Sequence, residues 1–168
     1  LAFVLGMTAQ NGPKENAKYG SSLSLSLSGN IKFTVLGNVL KDQTMLGFSS
    51  GATLQYDAGL DSLKAANTNS QAPSISSVSG ALDFFANYLP VTSNSIKVPL
   101  RVTVGASGKY VLIRDSSLVL PTGACLFLED LASASYIDFK ANASYSFTIE
   151  DTTSAPRFLI HITQPISK

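Results

Sequence analysis

CLFLEDLASASYIDFKANASYSFTIEDTTSAPRFLIHIT, residues 125–163, is the stretch that decides the fold. It reads as three short strands joined by turns too short to hold a helix. Leu126 and Leu128 lie on one side of the first strand, with Cys125 and Phe127 on the other. Tyr145, Phe147 and Ile149 mark one face of the second, and Phe158, Ile160 and Ile162 one face of the third. An apolar period of two is the pattern of half-buried antiparallel strands, because successive side chains of a strand point to opposite faces.

The same pattern extends upstream. In SLSLSLSGNIKFTVLGN (22–38), Leu23, Leu25 and Leu27 oppose serines, and Ile31, Phe33 and Val35 continue after a bulge or tight turn at Gly29-Asn30. KDQTMLGFSS (41–50), the segment around Ile75 and Val78, ALDFFANYLP (81–90) and SIKVPLRVTVGASGKYVLIRD (95–115) add further short strands. Pro99 predicts an edge or bulge position, since proline cannot donate to a ladder. Leu60, Leu63 and Lys64 permit one short helix within 56–66, weakened by Gly59 at a cost of about 1 kcal/mol. About ten strands with frequent turn signals predict an all-β protein, an antiparallel β-sandwich of immunoglobulin-like or jelly-roll-like type. Residues 1–20 read as an N-terminal strand and polar connector, and 21–168 as the sandwich domain.

Composition narrows the function classes. Charged residues make up only 14% of the chain, against roughly a quarter in typical soluble proteins. With 12 basic and 11 acidic residues spread along the chain, net charge is +1 and no basic stripe is present. Nucleic acid and anionic membrane are therefore not expected partners. So little net charge leaves little repulsion between copies, which suits self-association. No segment approaches the length of a membrane span. The opening LAFVLGMTAQ lacks the basic region of a signal peptide and reads as a strand, with Leu1, Phe3, Leu5 and Met7 as a candidate inter-subunit face.

Candidate reactive residues are few. Cys125 is the only cysteine, so an intrachain disulfide is excluded and a small buried hydrophobe is expected. His161, the only histidine, faces away from Ile160 and Ile162; no nucleophile-elbow glycines accompany it, so a surface or edge-strand position is expected. Asp57 and Asp61 stand four apart, but Ca²⁺ usually takes six to eight oxygen ligands and no acidic loop surrounds them. Glu129-Asp130 and Glu150-Asp151 end strands and read as turn residues. No catalytic group, metal site or cofactor is expected. Six Tyr and nine Phe without Trp leave a sugar-stacking face as a weaker alternative.

Three blocks resemble a domain found near the C-terminus of Bacteroidota surface proteins exported by the type IX secretion system. KDQTMLGFSSGATLQYDAGLDSLK (41–64) is similar to that family's D-E-T-x-x-x-F strand and the A-T-x-x-F/Y-D-x-x-Y-D-A-x-K segment after it. NYLPVTSNSIKVPLRVTVGASGKYVL (87–112) resembles its S-L-P, V-P-L-x-F-x-V and G-x-Y-x-L run. Residues 126–163 resemble its closing Y-L-x-D, Y-S-F and R-F-x-L-H-F blocks. Leu60 and Ser62 depart from the usual Tyr and Ala around Asp61, and Ala132-Ser133 from the common Thr-Gly. A sorting domain usually follows in the family; here QPISK ends the sequence, implying a cleaved signal or a fragment.

The resemblance implies an exported, extracellular or cell-surface β-domain without catalysis. It also implies O-glycosylation at Ser62 and Thr152, within Asp61-Ser62-Leu63 and Asp151-Thr152-Thr153. The expected function is a structural or adhesive module, self-assembling into a fibre or sheath through N-terminal strand exchange. The alternatives are a carbohydrate-binding module of a secreted enzyme, reading surface glycans, and a viral coat protein. The latter needs a basic surface for its genome, which the charge balance does not offer.

Overall fold

The computed structural model describes residues 27–91, 95–120, 122–150 and 155–163. Residues 1–20, with the candidate strand face Leu1, Phe3, Leu5 and Met7, lie outside the described residues, as does Thr152. Period-two alternation places Ile31, Phe33 and Val35 inward from β1 (Asn30–Leu36), and all three are fully buried. A turn closed by Gly37 N–H donating to the Leu40 carbonyl returns the chain into β2 (Lys41–Ser49), antiparallel to β1. There follow β3 (Ser62–Leu63), β4 (Ser74–Ser79), β5 (Leu82–Pro90), β6 (Ser95–Thr103) and β7 (Gly108–Ser116). The last four strands are β8 (Cys125–Asp130), β9 (Ser135–Asp138), β10 (Ser144–Ile149) and β11 (Phe158–Thr163).

Among the described residues the fold is all-β, and its eleven strands belong to one sheet, in the order β10-β7-β1-β2-β5-β4-β6-β11-β8-β9 with β3 on β5. This departs from the expected pair of stacked antiparallel layers: the sheet rolls up into a nearly closed barrel. Its core is a single cluster in which Phe33, Leu46, Ile75, Leu100, Leu112, Leu126, Phe139, Phe158 and Ile160 are among the buried members. Each such large side chain contributes about 1.5–3 kcal/mol by leaving water. Phe139, just after β9, stacks on Phe33 at 6.5 Å between ring centroids.

The all-antiparallel expectation also fails at one pairing, since β2 and β5 run parallel from Met45↔Ala86 to Ser49↔Pro90. The cause lies in a fork. β4 pairs with β5 up to Ser77↔Phe84, and β2 takes over from Ala86, while β3 covers the other edge of β5 at Phe84 and Ala86. Side chains of β2 satisfy the backbone where the ladders part. The buried Thr44 hydroxyl donates to the Phe84 carbonyl at 2.9 Å and accepts from Ser77 N–H at 3.3 Å. Asp42 accepts Ile75 N–H at 2.8 Å and pairs with Lys64 at 2.6 Å. Buried main-chain groups rarely go without partners, and here two side chains replace a missing ladder.

The candidate helix at 56–66 is absent. One turn forms, with Asp61 N–H on the Asp57 carbonyl, but Gly59 at φ 92° turns left-handed and the chain leaves into β3. The 125–163 stretch holds four strands rather than three, because SYID pairs with β8 as β9. Pro99 is flanked by β11, and the β4 ladder ends one residue away at Ser77↔Leu100, so its missing N–H falls where pairing has stopped. Cys125 is half-buried on the outer face, not in the core.

Candidate functional site

The roll closes along a seam between β10 and the β8–β11 pair, and that seam holds the most deeply buried carboxylate among the described residues. Asp130, at the end of β8, is 1% exposed. Arg157 Nε and Nη2 donate to its two carboxylate oxygens at 3.2 and 3.0 Å, the two-pronged geometry that suits guanidinium to carboxylate. Tyr145 Oη donates to Asp130 Oδ2 at 3.1 Å, and Ala132 N–H donates to Asp130 Oδ1 at 3.0 Å. Burial works against the Asp130 charge, but the Arg157 hydrogen bonds, the Ala132 amide, the Arg157 charge and the Tyr145 hydroxyl outweigh it. The carboxyl is held below its ordinary range.

Arg157 also reaches across to β10, donating Nη1 to the Thr148 carbonyl at 2.7 Å. Its guanidinium lies 4.7 Å from the Phe147 ring centroid and 5.4 Å from that of Phe158. Those two rings meet edge to face at 5.0 Å. The seam is therefore held by side chains where a closed barrel would have a backbone ladder. Reading Asp130 as a turn residue captured its bond to Ala132 and missed the rest. The available signal was an arginine directly preceding an apolar strand, with an acid directly ending another.

His161 lies on the outward face of β11, an interior strand flanked by β6 and β8, so the edge-strand expectation is corrected. Its Nε2 is 2.7 Å from Glu129 Oε2. Tyr136 of β9 stands opposite Glu129 in the register, and its ring is 6.0 Å from the imidazole. The Tyr136 hydroxyl, and then the His161 hydrogen bond and charge, hold the Glu129 carboxyl below its usual value against opposing desolvation. The same Glu129 contact, aided by desolvation, raises the Tyr136 hydroxyl above its own. Nothing on this face pairs the imidazole with a nucleophilic hydroxyl or thiol among the contacts described.

Other titratable groups serve the backbone. Asp57 accepts Thr53 N–H at 2.5 Å, and Asp61 accepts Asp57 N–H at 2.8 Å and Tyr88 N–H at 2.7 Å. Both acids thus fix a loop. Among the described residues no group of three His, Cys, Asp or Glu is placed to hold a metal ion. Asp83 binds Arg101 and Ser76 beside a groove of about 290 Å³ lined also by Lys64, Ser74 and Thr103. A larger groove, about 490 Å³, runs over the outer face of β1, β7 and β10, between Leu36, Val111, Ser146 and Thr148. Ser62 is exposed on β3, next to the buried Asp61.

No protein-family model, curated protein or solved structure matches the chain.

Proposed function

We propose that this chain is a non-catalytic, extracellular structural or adhesive module of a secreted bacterial surface protein, assembling with copies of itself through its N-terminal segment. The observation that carries this reading is the use of the acids and bases: Asp42, Asp57, Asp61, Asp83 and Asp130 are committed to backbone amides or cations within the sheet and its loops. What the molecule offers outward is sheet face and sheet edge. The sequence resemblance to type IX-exported surface domains supplies the compartment, and the low net charge permits close approach of copies.

Sedimentation and electron microscopy of the full chain test this reading. The wild type is expected to form oligomers or filaments, and a Phe3→Asp/Leu5→Asp double variant to stay monomeric with an unchanged β-sheet spectrum. A wild-type chain that is monomeric at high concentration refutes the proposal. O-glycosylation at Ser62 is part of the same reading, and an intact mass above 17.7 kDa in native material that drops in Ser62→Ala is its check.

A second reading, a carbohydrate-binding module, rests on Tyr136, 64% exposed beside His161 and Glu129 on a sheet face. A ring with adjacent hydrogen-bonding groups suits sugar stacking. Loss of binding to a glycan array on Tyr136→Ala supports it, and an array without a hit for the wild type removes it.

A further inference from the structure

Besides the two-residue β3, the open roll leaves the two end strands of the sheet, β9 and β10, as edges among the described residues, and this molecule treats them differently. β9 is four residues long, carries Asp138, and ends in a turn where Asp138 Oδ1 accepts Lys140 and Ala141 N–H. β10, SYSFTI, is six residues long without a charge or a proline, and its register with β7 runs without a bulge. Natural edge strands are commonly blunted by shortness, charge, proline or bulges, because an unpaired edge is a template for another strand. β10 has none of these four features in its own residues, and of its edge only the Thr148 end is covered, by Arg157 across the seam.

The backbone polarity of that edge follows from the register. Arg114 N–H donates to the Ala143 carbonyl, which fixes Leu112↔Tyr145 and Tyr110↔Phe147 as the hydrogen-bonded pairs. Ser144, Ser146 and Thr148 therefore turn their N–H and C=O groups away from β7. The Thr148 carbonyl is taken by Arg157. Ser144 and Ser146 are exposed, and no partner for their outward main-chain groups occurs among the described residues.

Resting on the strand-exchange reading, we infer that this β10 edge is the acceptor, and that its occupant is the segment 1–9 of a second copy of the chain. LAFVLGMTA is uncharged and alternates Leu1, Phe3, Leu5 and Met7, the pattern a strand needs to continue a sheet with one buried face. Nine extended residues cover about 30 Å, more than the six of β10. The chain reaches the sheet at Leu27, whose neighbour Ser28 bridges Val119 just beyond β7. That is the end of β7 whose Ile113 lies opposite Ser144 at the start of β10. The polar connector 11–22 between segment and sheet spans up to about 40 Å, enough to pass from one copy to the next.

The test uses two full-length variants. Phe3→Asp/Leu5→Asp spoils the donor and keeps the acceptor. Ser146→Pro spoils the acceptor, removing an outward N–H that β7 does not use, a placement proline tolerates on an edge. Each variant alone is expected to be monomeric in sedimentation, and an equal mixture to give a heterodimer and nothing larger. Ser146→Lys, which leaves the backbone intact, should weaken wild-type assembly at least tenfold and guards against a fold defect in the proline variant. If Ser146→Pro and Ser146→Lys assemble like the wild type while the donor variant does not, the acceptor edge is elsewhere and strand exchange stands. If the donor variant assembles too, the exchange reading itself fails. A mixture that stays monomeric overturns the pairing of this donor with this edge.

Discussion

Replacing Asp130 by Asn tests the seam with almost no change of shape. Asp130 accepts two hydrogen bonds from Arg157, one from Tyr145 and one from Ala132 N–H, and is 1% exposed. The amide can keep one or two of these contacts but leaves the guanidinium without its counter-charge. Breaking a buried pair by removing one partner costs about 3–5 kcal/mol. The lower end applies, because the Arg157 side chain keeps 16% exposure, the Thr148 carbonyl and two aromatic faces. A loss of about 3 kcal/mol lowers the melting temperature by roughly 6–12 °C in a chain of this size. The exposed pair Lys32–Asp115, at 3.7 Å with side chains 44% and 76% exposed, supplies the contrast. Its removal should cost less than about 1 kcal/mol.

Denaturant unfolding at a series of pH values is the assay. The Asp130 carboxyl is depressed in the folded state, so its contribution is present above the unfolded value of about 3.9 and fades as pH falls through the lower folded value. The gap between wild type and Asp130→Asn should be full at neutral pH and narrow in acid below about pH 4. A gap under 1 kcal/mol at pH 7, or one that persists unchanged in acid, refutes the reasoning.

Thr44→Val strips the hydroxyl from the fork and strands the Ser77 N–H and Phe84 carbonyl in the interior; stability should drop by about 2 kcal/mol in the same assay. Gly105→Ala places a Cβ 2.0 Å from the Ser70 carbonyl oxygen, a backbone atom, whereas in Gly47→Ala the nearest atoms belong to the Tyr88 ring. A second substitution, Tyr88→Ala, should therefore relieve part of the Gly47→Ala strain, and no single side-chain truncation should relieve Gly105→Ala; thermal unfolding of the four variants decides. Glu129→Gln should bring the Tyr136 hydroxyl back down toward the usual tyrosine range, about 10, readable by NMR titration in alkali. In the wild type the stability that Tyr136 gains from Glu129 is present below that value and lost as pH rises through its higher folded one.

Much of the sheet was legible because alternation is local. The buried positions Ile31, Phe33, Val35, Leu126, Leu128, Phe158, Ile160 and Ile162 each follow from period two, whatever strand lies alongside. Which strand lies alongside is not a local property. The neighbours of β5 depend on Thr44, a residue that reads as an ordinary strand threonine until the fork is seen. SYID is hard to read as a strand because Ile137 alone marks its inward face, half-buried against the core. Asp57 and Asp61 carried the right signal for a loop, yet the helix-like spacing of Leu60 and Leu63 competed with it until Gly59 decided the turn. The seam depends on Arg157 meeting Asp130 across 26 intervening positions, and no periodicity reports such a meeting.

A cylinder fastened by one guanidinium, one phenol and a pair of crossed rings has a built-in line of rupture. Heat, acid or a pulling force should part the molecule there before any ladder unzips. The first intermediate would then be a flattened sheet, with Phe147 and Phe158 newly wetted and nearly all its cross-strand hydrogen bonds still in place.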